Sequence, residues 1–110
     1  MKNSKEKDLE SKLNLLININ KQPNLTQREL AKNLGISLGK LNYLLNALID
    51  KGFIKINNFK KNPKKIDYFY LLTPHGISEK TKLTINFMRR KMSEYDQLKN
   101  ELEGDNVDSD

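Results

Sequence analysis

Cysteine is absent from this sequence. That removes disulfides, zinc ribbons, iron–sulfur clusters and thiol catalysis in one step. No apolar run approaches the roughly 18 residues that a membrane-spanning helix needs, and the opening segment MKNSKEKDLESK lacks the apolar stretch of a signal peptide. A cytoplasmic protein is therefore the expectation. Histidine occurs once, at His75, directly after a proline and away from paired carboxylates, and it reads as a surface residue. The sequence has no P-loop, no glycine-rich phosphate cradle, no Ser/His/Asp set and no cluster with metal-ligand spacing. No catalytic residue, metal or cofactor is expected, and the chain does not read as an enzyme.

What is present is charge. Charged residues make up 31% of the 110-residue chain and hydrophobic ones 36%, a highly charged composition that still supports one small core. The 20 Lys and Arg outnumber the 14 Asp and Glu. Five of the acids, Glu101, Glu103, Asp105, Asp108 and Asp110, stand in the last ten residues. Residues 1–100 thus hold 20 cations against nine acids, a balance of +11. A basic body ending in an acidic tail points to a polyanionic partner, with the tail screening non-specific contacts. Abundant Lys, Asn and Ile suggest an AT-rich genome.

Periodicity predicts the order helix, helix, helix, strand, charged turn, strand, long helix. Leu9, Leu13, Leu16 and Ile17 mark a first helix over 8–19, which Pro23 prevents from continuing. Thr26-Gln27-Arg28-Glu29 has the form of a capping box. The helix it opens carries Leu30, Ala31 and Leu34 and closes at Gly35. Ser37 caps a third helix with Leu41, Leu44, Leu45, Leu48 and Ile49 on one stripe, ending at Lys51-Gly52. FIKINNF alternates, with Ile54 and Ile56 on an apolar face; KKNPKK, residues 60–65, reads as a turn; IDYFYLL is the returning strand. In it Phe69 should point one way and Tyr68 and Tyr70 the other, as packing residues. Thr73-Pro74 opens the last helix, expected to end near Glu103. At roughly 45 Å that helix outreaches a compact domain, so part of it must project. Ile85, Met88, Met92, Tyr95 and Leu102 follow a heptad seam interrupted by Lys99. GDNVDSD reads as a disordered acidic tail.

Two short helices joined by Gly-Ile-Ser must cross steeply while sharing a core, which is the geometry of a helix-turn-helix. A generic helical hairpin would also use a small residue and a turn glycine, but the strand, basic turn and strand that follow supply the wing of a winged helix. The fold class expected is mainly α with a small β-hairpin wing. The expected organisation is a winged helix-turn-helix over 1–73, a C-terminal dimerisation helix over 74–103 and an acidic tail over 104–110.

TQRELAKNLGISLGKLNYLLNALIDKGFIKI followed by YFYLLTPHGI resembles the MarR-type winged helix-turn-helix regulators, in the L…KG closing the third helix (Leu48, Lys51-Gly52) and in the Leu72-Thr73-Pro74-His75-Gly76 segment after the wing. It is particularly similar to the short bacterial subgroup associated with exopolysaccharide gene clusters. The resemblance covers about Leu9 to Leu102 and implies transcription regulation. The chain departs from the family in lacking a long extra N-terminal dimerisation helix and in carrying Lys where many relatives have a wing-tip arginine.

With the apolar stripe inward, the recognition helix, residues 37–51, presents Gly39, Tyr43, Asn46 and Asp50, flanked by Lys40 and Asn42. Asn pairs bidentately with adenine, and Lys suits guanine. Ser37 and the amides at the helix start suit a phosphate. Lys40 and Asn46 are the expected base readers. On the wing, residues 57–65 with the neighbouring strand, Lys55, Lys60, Lys61, Lys64 and Lys65 form a basic cluster that would grip the backbone, with Arg28 adding a contact. Four to six neutralised phosphates per subunit imply a log–log salt slope of roughly −4 to −5. The partners expected are double-stranded DNA and a second copy of the chain through Ile85, Met88, Met92, Tyr95 and Leu102. The rivals are a winged-helix assembly module docking another protein through the last helix, an RNA or single-strand binder, disfavoured because no aromatic platform interleaves with the basic residues, and an enzyme.

Overall fold

The computed structural model describes residues 4–62 and 65–108, with the side chains of 59–67 and 105–108 outside the description. The order is α1 (Ser4–Lys21), α2 (Gln27–Leu34), α3 (Leu38–Asp50), β1 (Ile54–Asn62), β2 (Lys65–Leu72) and α4 (Pro74–Asp108).

α2 begins at the predicted capping box: the Thr26 hydroxyl accepts from the Glu29 amide, and the Glu29 carboxylate accepts from the Thr26 amide. Both helices of the helix-turn-helix end by one device. After α2, Gly35 takes φ 66° and the Ile36 amide returns to the Ala31 carbonyl. After α3, Gly52 takes φ 76° and the Phe53 amide returns to Leu48. A left-handed residue with such a six-to-one bond satisfies carbonyls the helix end leaves open and turns the chain sharply.

The core is the meeting place of the first three helices and the base of the wing. Leu15, Leu16, Ile19, Leu30, Ala31, Leu41, Leu44, Leu45, Leu48, Phe53, Ile54 and Tyr70 are buried together, with Leu34, Ile36, Ile49, Leu72 and Leu83 packed against them. In α1 the stripe is wider than its sequence pattern: Leu15 and Ile19 are fully buried, whereas Leu9 and Ile17 are half-buried. Three helices, α2, α3 and α4, and the strand β2 cover more of α1 than a single-partner stripe would need.

β1 and β2 form an antiparallel hairpin from Ile54↔Leu72 to Asn62↔Lys65, with a register irregularity between Lys60 and Asn62. This corrects two expectations. Residues 60–62 and 65 belong to strands rather than to the turn, because the ladder continues outward once the base is paired. Ile56 is 46% exposed, because a sheet of two strands has a core beneath its base alone. Tyr68, farther out, is exposed, while Tyr70 is buried.

α4 starts with Thr73 as cap, its hydroxyl accepting from the Gly76 amide at 2.9 Å. It stays helical through Asp108, beyond the end expected at Glu103, so residues 104–108 are not the unstructured tail the composition suggested. Propagating an existing helix needs no new nucleation, and one Gly costs only about 1 kcal/mol. The radius of gyration, 18.9 Å, exceeds the roughly 13 Å of a compact chain of this length, and the long dimension reaches 76 Å. α4 does project. Among the described residues no helix is long and apolar enough to cross a membrane.

Candidate nucleic-acid interface

α3 is held from within by Leu41, Leu44, Leu45 and Leu48, each at most 2% exposed. That grip decides what faces out: Gly39, Lys40, Asn42, Tyr43 and Asn46 are all exposed, with Tyr43 at 61%. Every residue assigned to the reading face from the sequence lies on the outer surface of this helix. A Cβ added at Gly39 would meet nothing within 4 Å, so the side of the helix there is open, and the glycine lets a neighbouring surface come close.

Ser37 caps α3, its hydroxyl oxygen accepting from the Lys40 amide at 3.1 Å. The oxygen is engaged with the protein, and the O–H remains available as a donor, which suits an acceptor such as a phosphate oxygen. Positive helix-end charge adds to that preference. Arg28 is exposed in the first turn of α2, and Lys55 is exposed on β1. The side chains of Lys60, Lys61, Lys64 and Lys65 lie outside the described residues.

One set of neighbours had no signal in the sequence pattern. The N-terminal turns of α1 reach the start of α3, so that Ser4, Lys5, Lys7, Asp8 and Ser11 share a shallow concavity with Lys40 and Tyr43. The Lys40 ammonium stands 3.7 Å from an Asp8 carboxylate oxygen and 5.6 Å from the centroid of the Tyr43 ring. Asp8 also pairs with Lys12 at 3.2 Å. Only the crossing of α1 over α3 brings these together; spacing along the chain does not reveal it.

His75 is exposed, as expected, and its ring lies against Phe53 at a centroid distance of 4.8 Å. Among the described residues no group of three His, Cys, Asp or Glu is arranged to hold a metal ion. Ile85, Met88, Met92, Tyr95 and Leu102 are all exposed on α4, and Leu98, which the heptad reading passed over, joins them.

Residues 8–55 match the family described as winged helix-turn-helix DNA-binding. Among curated proteins none matches the sequence. A MarR from Staphylococcus aureus, solved in complex with salicylate and kanamycin, is 21% identical over 80% of this chain and 61% of its own, with a TM-score of 0.61. FabT from Streptococcus pneumoniae, solved in complex with DNA, is 22% identical over 77% of this chain and 57% of its own, with a TM-score of 0.56. The protein smu.1704 from Streptococcus mutans is 18% identical over 77% of this chain and 82% of its own, at a TM-score of 0.67. The chain spans less than two thirds of the first two, and at these identities the likeness is one of fold. The three core helices, the hairpin and the long last helix therefore make this chain a winged helix-turn-helix protein with the fold of the MarR regulators.

Proposed function

We propose that the chain is a sequence-specific, double-stranded DNA-binding transcription regulator that acts as a homodimer on a near-palindromic site. The observation that carries this reading is the division of α3, with four leucines locked in the core and Lys40, Asn42, Tyr43 and Asn46 turned outward. A helix so held presents hydrogen-bonding side chains at fixed positions, which is what reading base edges in the major groove requires. The wing then lies on the backbone, where Lys55 and the lysines of 60–65 neutralise phosphates. FabT, which shares this fold, was solved with DNA.

Residues 1–73 would bind DNA and the helix from Pro74 would pair two copies, setting the recognition helices about one turn of DNA apart. The resemblance to exopolysaccharide-associated regulators directs the search for target genes to such clusters. The exposed apolar face of α4 also supports a second reading, an assembly module docking another protein through that helix.

Sheared genomic duplex from the source organism, incubated with the protein at about 150 mM salt and sequenced after retention, separates the two. Enrichment of a few loci sharing a palindrome with half-sites about ten base pairs apart is the expected result. Retention without a common sequence, or none at all, would sink the regulator and leave the assembly module.

A further inference from the structure

The surface expected to face DNA contains an acid that its function does not explain. Where the N-terminal turns of α1 pass the start of α3, the concavity is lined by Lys5, Lys7 and Lys40, and Asp8 is the one carboxylate among its lining residues. A carboxylate on a phosphate-facing surface opposes binding, so its position calls for a reason. Its distances supply one. Asp8 lies 3.7 Å from the Lys40 ammonium, close enough to offset charge but too far for a hydrogen bond. The three N–H donors of Lys40 are not consumed by it.

We infer that Asp8 is a specificity-determining positioning residue, which weakens the attraction of Lys40 for any phosphate while leaving its donors free for a base edge. The inference rests on α3 being the recognition helix. Attraction to the backbone depends on net positive charge and the counterions it displaces. Reading guanine O6 and N7 depends on donors held in the right place. An ammonium partly neutralised by a neighbouring carboxylate loses much of the first and little of the second. Asp8 thus penalises random sequence more than the correct site. Lys12, 3.2 Å from the same carboxylate, anchors it on the helix face that meets α3, and the Tyr43 ring limits where Lys40 can swing.

The test uses the full chain and duplexes with a randomised core of about 20 base pairs, long enough for two half-sites. The best-enriched duplex and a random-sequence duplex pool of the same length are then titrated over a range of salt with wild type, Asp8→Asn, Lys40→Gln and the double variant, after thermal melts confirm that each is folded. Asp8→Asn should tighten binding to the random-sequence pool about threefold, the scale of an exposed ion pair. It should steepen its salt slope by about one and change the selected duplex less, so the specificity ratio falls. In the Lys40→Gln background the same substitution should have a clearly smaller effect, because the part that passes through Lys40 is lost while the charge released from Lys12 remains. Equal tightening on both duplexes, no tightening, or an effect undiminished by Lys40→Gln each overturns the inference. A wild type that binds no duplex overturns the proposed function first, and this inference with it, before any variant is compared.

Discussion

The first turn of α4 rests on the carbonyl of Phe53: a Cβ placed on Gly76 would fall 1.9 Å from that oxygen and 2.8 Å from its carbon. The same oxygen accepts the Thr73 amide at 3.1 Å, and the Thr73 hydroxyl donates to the Gly52 carbonyl at 2.5 Å. The end of α3 and the start of α4 are thereby tied into one unit. Gly76→Ala must force two backbone segments apart, with no flexible side chain to yield. Overpacking of this kind costs about 1–3 kcal/mol or more, so the urea midpoint should fall by a corresponding amount. A midpoint that does not move would show that α4 docks more loosely than this geometry states.

A side-chain bond ties the wing to the helix-turn-helix, from Gln27 Nε2 to the Tyr70 hydroxyl at 2.7 Å. Tyr70→Phe keeps the buried ring and removes the oxygen, which should cost about 1 kcal/mol. Gln27→Ala should cost a similar amount, and the double variant should cost less than the two losses added. Full additivity in thermal or urea unfolding would mean that the bond carries no coupling between wing and helix.

The helix ends were legible because their chemistry is local. Thr26 with Glu29, Ser37, Gly35 and Gly52 each announce a cap within four residues, and the structure uses all of them. The outward face of α3 was legible because its leucine stripe leaves one opposite side. Failures occurred where tertiary placement decides. Ile56 obeys strand alternation yet lies past the core. Leu15 and Ile19 are buried because four elements surround α1. Asp8 and Lys40 are 32 positions apart in sequence, and nothing in either segment predicts that they meet. The glycine of the Leu-Thr-Pro-His-Gly segment was noticed as part of a resemblance, but its physical reason, the Phe53 carbonyl beneath it, is visible only in three dimensions.

If α3 reads bases and the wing holds phosphates, their truncations should fail in different ways. Asn46→Ala should cost about 1–3 kcal/mol on the selected site and relax the preference at one base pair. Lys55→Ala should weaken binding to all duplexes alike and reduce the salt slope by about one. Titrations on the selected duplex, on single-base variants of it and on random duplex distinguish these outcomes. A uniform loss on Asn46→Ala would remove it from the readers and make it a backbone contact.

The face of α4 formed by Ile85, Met88, Met92, Tyr95, Leu98 and Leu102 is exposed along its length, an apolar surface broken by Lys99 and of the kind that marks an interaction site. Met92, 62% exposed, sits near the middle of that face and contributes nothing to the core of its own chain. If this face pairs two copies, Met92→Glu should leave the circular dichroism of the folded chain unchanged while placing a carboxylate from each copy in the seam of a two-fold dimer. An uncompensated charge in such a seam costs about 3 kcal/mol or more. Sedimentation should accordingly shift from two chains to one at concentrations where the wild type is dimeric. Binding to a palindrome should weaken because two linked half-sites no longer act together, whereas binding to an isolated half-site should stay near its wild-type value. A Met92→Glu protein that still sediments as a dimer would place the self-association elsewhere and free this face for a different protein.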